Sequence, residues 1–197
     1  MPKGIALTEE AQQQRRKEIF SASVHLFIEK GFTETTMREI ATAAGIGKST
    51  LYDYYQSKDE ILTSYYENEL RRITERAQKI SQKDLSNIEK LSEIMYMHLE
   101  YLMENKDYFW KLSIESQRLS AESQEKIQKK RHFYQDMLQT IIEEGIRSGE
   151  FGSINATLAA RSIFTLLSIA AFTSRPTGTP QEMLNDILAI FFEGIRA

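Results

Sequence analysis

Between Pro2 and Pro176 the chain contains no proline, and this absence constrains its fold more than any other feature. Proline lacks the amide proton that a helix interior needs, and its ring collides with the preceding turn, so a stretch this long without one can form long unbroken helices. Glycine, the other common interrupter, occurs only nine times among 197 residues. A hydrophobic content of 41% is ample for a packed core. The expectation is an all-α protein of one compact domain or two small ones.

Several function classes fall away at once. With no cysteine there are no disulfide staples, thiolate zinc sites or cysteine nucleophiles. The opening MPKGIALTEEAQQQRRKEIF lacks the apolar stretch of a signal peptide. The most apolar later segment, residues 156–172, is interrupted by Arg161 and falls short of a membrane span, so a cytoplasmic protein with no membrane partner is expected. The formal net charge is -3, and residues 1–60 hold eight Lys/Arg against nine Asp/Glu. A broad basic surface is therefore excluded, and any DNA binding must rest on a few placed donors.

Cap signals lay out about nine helices. Thr8, followed by Glu9 and Glu10, opens a first helix that runs to about Lys30 and stops at Gly31. Thr36 and Glu39 form a capping box for a short helix ending near Ala44. After the turn Gly45-Ile46-Gly47 a second short helix carries Lys48 to Tyr54, and Ser57 with Glu60 opens a long connector to about Ile80. Five more helices follow, over about 86–104, 107–119, 122–147, 155–173 and 179–195.

Two short helices joined by a glycine-containing turn, behind a longer helix, describe a helix-turn-helix. Ile40, Ala41, Ala44, Ile46 and Leu51 would pack the pair inward. Gly47, Lys48, Ser49, Thr50 and Asp53 then face outward at the start of the second helix, where a recognition helix reaches base edges. Thr36, Tyr52, Tyr54 and Lys58 offer hydroxyl or ammonium donors near helix starts, suited to clamping phosphates. Taken alone, the pattern fits ordinary helix packing as well as DNA recognition.

The stretch Phe27 to Leu62, FIEKGFTETTMREIATAAGIGKSTLYDYYQSKDEIL, resembles the DNA-binding domain of the tetracycline-repressor (TetR) family, and the likeness runs from about Arg16 to Leu62. It implies an N-terminal three-helix helix-turn-helix domain (1–57), and a larger C-terminal helical domain for effector binding and dimerisation (58–197). It also implies that Thr36, Tyr52, Tyr54 and Lys58 stand at phosphate-contacting positions, with Met37, Gly47, Lys48, Ser49 and Thr50 near bases. Two departures stand out: Tyr54-Tyr55 replaces an aromatic pair that usually ends in Phe, and Asp53 puts an acid in the recognition helix. Tyr55 is expected to pack inward. Asp53 either accepts from a cytosine amine or faces solvent.

Beyond Leu62 the family likeness is one of layout only. Met95, His98, Tyr101, Leu102, Phe109, Trp110, Phe133, Tyr134 and Met137 concentrate bulky, adaptable side chains in consecutive helices, which suits either an apolar effector pocket or a plain core. His98 and His132 have no partners at metal-ligand spacing, so neither a metal nor any other cofactor is expected. No nucleophile-and-base pair or phosphate loop supports an enzyme. Leu158, Ile163, Leu166 and Leu167, then Leu184, Ile187, Leu188 and Phe191, make the last two helices strongly apolar, buried in the subunit or against a partner. The resemblance implies the latter, a four-helix homodimer interface. The resulting expectation is a repressor released from a palindromic double-stranded DNA operator by a small, largely apolar effector. The rival is a helical small-molecule-binding protein or scaffold without DNA binding.

Overall fold

The computed structural model describes residues 8–195, except the side chains of Asp107, Tyr108 and Trp110. These residues form nine α-helices: α1 (Glu9–Glu29), α2 (Met37–Ala43), α3 (Lys48–Tyr54), α4 (Lys58–Ser81), α5 (Asn87–Glu104), α6 (Lys106–Glu115), α7 (Ala121–Ser148), α8 (Ala156–Phe172) and α9 (Pro180–Ile195). Among the described residues no helix is long and apolar enough to cross a membrane.

Local chemistry sets most of the boundaries. The Thr8 hydroxyl accepts from the Ala11 amide at 3.3 Å, satisfying one of the orphan donors of α1. Gly31 and Gly45 end α1 and α2 at φ +93 and +65, a left-handed backbone that side chains with a Cβ resist. Reciprocal capping boxes start α2 (Thr36 with Glu39), α5 (Ser86 with Glu89) and α9 (Thr179 with Glu182). At α4 only half of the expected box forms: the Glu60 amide donates to Ser57 Oγ at 3.1 Å, while the Glu60 carboxylate takes the Gln56 amide at 2.6 Å. The helix expected to reach Leu119 stops at Glu115 and tightens into a 3-10 turn over Ser116–Arg118. There the Ser116 hydroxyl donates to the Ser113 carbonyl at 2.7 Å, in competition with the helix ladder.

The chain divides into two compact units, not at one cut near residue 57. The first holds the described residues up to Glu67 together with Trp110–Ile127; the second holds Asn68–Phe109 and the chain from Gln128 on. Leu112 and Leu119 explain the returning segment, since both are buried in the first unit, whose core also contains Ile19, Phe27, Phe32, Ile40, Leu51, Tyr55, Ile61 and Leu62. Each such side chain contributes roughly 1.5–3 kcal/mol by leaving water. The second unit has one continuous core from α4, α5, α7, α8 and α9, including Leu91, Ile94, Met95, Leu102, Ile142, Ile163, Leu167 and Leu184.

Close packing in the second unit yields a stability test. A Cβ added to Gly145 of α7 would lie 2.2 Å from the Phe151 ring, which is buried and stacked on Phe192. Gly145→Ala is therefore expected to cost about 1–3 kcal/mol by overpacking, despite the better helix propensity of alanine. An unchanged thermal midpoint would show that the ring does not rest against this turn.

Candidate functional site

The α2–α3 pair is built from within three or four residues at a time. Thr36 Oγ1 donates to Glu39 Oε2 at 2.7 Å and accepts the Glu39 amide at 3.3 Å, so its hydroxyl is engaged in the cap. Lys30 pairs with the same carboxylate, and Lys30 and Thr36 together hold the Glu39 carboxyl down to about 2. Ile40, Ala41 and Leu51 are buried beneath the pair, and Ala44 and Ile46 are half-buried. Tyr55 points inward as expected, and Asp53 faces solvent.

On the outer face Gly47, Lys48 and Ser49 are exposed at the start of α3, with Thr50, Tyr52, Tyr54 and Met37 half-buried around them. The Lys48 ammonium sits 5.7 Å from the centre of the Tyr52 ring, which steadies the long side chain on the surface. Arg16 of α1, absent from the sequence reading of the site, reaches this face as well. Its guanidinium lies 5.5 and 5.1 Å from the Tyr54 and Tyr55 rings and donates to the Tyr54 carbonyl at 3.2 Å.

Lys58, expected at a phosphate, is engaged by its own chain. Its ammonium donates to the carbonyls of Phe32, Thr33 and Thr35 at 2.6, 2.7 and 3.0 Å, which uses all three of its protons on the turn between α1 and α2. Its charge also stands 4.8 Å from the centre of the Phe32 ring. From the other side, Glu115 Oε2 accepts the Phe32 amide at 2.9 Å, and Asp59 accepts the Ser120 amide at 2.8 Å. Nothing in the sequence near Phe32 signals Glu115, 83 residues away. The turn that aims the helix-turn-helix is thus held by a cation on its carbonyls and an anion on its amide.

Two family descriptions match the chain: "Bacterial regulatory proteins, tetR family" over residues 19–65, and "Tetracyclin repressor-like, C-terminal domain" over residues 84–195. The chain belongs to the TetR family. It is a DNA-binding transcriptional regulator. It is 25% identical over 190 residues to the fatty acid metabolism regulator protein of Bacillus subtilis, covering 93% of this chain and 98% of that protein. It is 26% identical over 185 residues to the HTH-type transcriptional repressor KstR2 of Mycobacterium tuberculosis, covering 92% of each. Among solved structures, the transcriptional regulator FadR from Bacillus subtilis in complex with stearoyl-CoA superposes with a TM-score of 0.77 at 25% identity, covering 91% of this chain and 99% of that one.

In this TetR-family chain most of the expected effector residues come together in the second unit. Met95, His98, Tyr101, Leu102 and Tyr134 are buried in its core, with Phe109 and Met137 packed against them. His98 Nδ1 and the Tyr134 hydroxyl share a hydrogen bond at 3.1 Å, and the rings of Tyr134 and Phe164 lie 5.5 and 5.6 Å from the imidazole. Burial pulls the His98 pKa down to about 4 and pushes the Tyr134 phenol up. Phe133 is the exception: it is 57% exposed, because the inward stripe of α7 runs through Tyr134, Leu138, Ile141 and Ile142, a third of a turn away. The Trp110 side chain lies outside the described residues.

The last two helices also differ from expectation. Ile163, Leu167, Leu184, Ile187, Leu188 and Phe191, expected against a partner, are buried within the single chain, and Leu166 is half-buried. Of the expected set only Leu158 is exposed, at 63%. It is joined on the outer faces of α8 and α9 by Ile169 and, at 71%, Ile190. The continuous apolar stripe of each helix fills the subunit core.

Proposed function

We propose that this chain is a homodimeric repressor that grips a palindromic operator through two α2–α3 pairs and is released by a long-chain acyl thioester of coenzyme A. The observation that carries the effector class is the likeness to FadR with its stearoyl-CoA, which extends over 91% of this chain and so includes the body in which the Met95, His98, Tyr101, Leu102 and Tyr134 core is built. The first unit reads DNA: Gly47, Lys48, Ser49, Thr50 and Met37 face bases, while Thr36, through the amides of its helix start, with Tyr52 and Tyr54, seats the phosphates. The second unit takes the effector and the partner. Such a regulator works beside the chromosome, in the bacterial cytoplasm.

The dimer is supported by Leu158, Ile169 and Ile190, apolar side chains left in water on the last two helices, where burial is worth about 25 cal/mol per Å². Two-fold pairing sets two heads about 34 Å apart, one turn of the duplex, and doubles the few placed donors of a head that has no net positive charge. An effector needs only different affinities for the DNA-competent and released arrangements, with couplings of about 1–3 kcal/mol. Helices α4, α6 and α7 each carry residues of both units and are the covalent routes for that coupling.

Gel-shift titration with DNA from upstream of the chain's own gene is expected to show tight binding with a steep inverse dependence on salt, and release on adding stearoyl-CoA. Lys48→Ala is expected to lose about tenfold in operator affinity and to narrow the preference over random DNA, since a specific base contact is worth about 1–3 kcal/mol. Equal binding of upstream and random DNA, or none of either, would reject the repressor and leave a helical small-molecule-binding protein.

A further inference from the structure

The second unit contains a groove of 810 Å³ between α4 and α5, completed by residues 179–181 at the start of α9. This is the size of a small-molecule site. Its floor includes Ile80 and Met97, each 7% exposed, and half-buried Met103, all of which pack into or against the same core that holds Met95 and Leu102. The groove therefore adjoins the proposed acyl region on a different face of α5.

The rim is charged. Arg76 and Lys79 stand at i and i+3 on α4, their Cα atoms about 4.5 Å apart along the axis, and Lys83 follows in the turn just past the end of that helix. Arg76 bridges the groove to Glu100 on α5 at 3.1 Å, and Lys83 bridges it to Glu93. Lys79 lies between these two bridges and pairs with no carboxylate among the described residues. All four bridging side chains are well exposed to water, so the pairs are weak, and a polyanion can draw Arg76 and Lys83 away from their carboxylates. Tyr96 adds a flat apolar surface beside the cations, its hydroxyl donating to Asn185 of α9. Phosphates along a row of cations, a ring that can stack and an apolar floor leading to the core match the successive parts of one molecule.

We propose that this groove seats the nucleotide diphosphate head of the acyl thioester, with Lys79 on its phosphates and Tyr96 against its base, while the acyl chain passes over Ile80, Met97 and Met103 into the core. The flexible thioethers of the two methionines suit a floor that must open for a chain. This assignment rests on the acyl-thioester reading of the effector. It separates recognition into an ionic head site outside and an apolar tail site inside, so the two can be varied independently.

The test is calorimetric titration of the full-length protein with stearoyl-CoA and, in parallel, with sodium stearate. Lys79→Glu changes an exposed side chain that pairs with no carboxylate among the described residues, and is expected to weaken stearoyl-CoA at least tenfold while leaving stearate unchanged. Glu100→Gln frees Arg76 and is expected to strengthen stearoyl-CoA several-fold. Wild-type protein that fails to bind stearoyl-CoA overturns the acyl-thioester reading and the groove with it. Wild-type binding with equal affinity in Lys79→Glu overturns the groove alone, as does a parallel loss of stearate.

Discussion

Lys58→Met should abolish operator binding in practice, lowering affinity at least a hundredfold, and Lys58→Arg should fail to restore it. The methionine keeps the length and apolar stem of lysine but leaves three carbonyls, on Phe32, Thr33 and Thr35, without their donor. Hydrogen bonds from a charged donor are worth about 1.5–3 kcal/mol each, and losses within one cluster are not additive, so about 3 kcal/mol is the expected cost to the turn. That turn fixes the direction in which α2 leaves α1, and a dimer applies the penalty at both heads. Arginine separates the two roles open to this residue. A phosphate contact accepts a guanidinium readily, whereas its planar fork cannot aim three donors at three converging carbonyls. Hydrogen exchange at 31–36 and gel-shift affinity check both parts: wild-type exchange with rescue by arginine would return Lys58 to the phosphates.

Lys58 also marks where sequence reasoning stops. Thr8, Gly31, Thr36 with Glu39, Gly45 and Ser86 with Glu89 were legible because a cap acts over three or four residues, and the residue types that can perform it are few. The exposed start of α3 follows from the same local logic. Contacts between Lys58 and the turn some 25 residues earlier, or between Glu115 and the Phe32 amide, carry no local signature, since any lysine or glutamate brought to that spot by packing makes the same bonds. For this reason the return of residues 110–127 to the first unit was invisible as well.

The apolar helices failed for a different reason. Periodicity identifies a stripe, but α8 has Ile163, Leu167, Ala170 and Ala171 on one side and Leu158 and Ile169 on another. Only three-dimensional packing decides which stripe the chain uses for itself. Phe133 shows the same limit on α7, where one residue of phase separates it from buried Tyr134.

His98 makes the second large prediction, a loss of about 2–3 kcal/mol of stability between pH 7 and pH 4.5 from one imidazole. The ring is enclosed by Tyr134, Tyr101 and Phe164, and burial pulls its pKa from 6.5 down to about 4. In the unfolded chain it titrates near 6.5, so between these values the unfolded state binds the extra proton and the folded state does not. Stability is therefore complete above pH 6.5, falls as pH drops through the window, and loses nothing more from this group below about 4. His98→Asn keeps a polar partner for the Tyr134 hydroxyl but cannot take up a proton. It should be less stable than wild type at pH 7, through lost volume, yet should lack this part of the acid loss. Urea midpoints at pH 7 and 4.5 for both proteins measure the difference of differences. Parallel declines would mean that the imidazole is protonated within the fold, and that the core around Tyr134 admits a charge this packing does not allow.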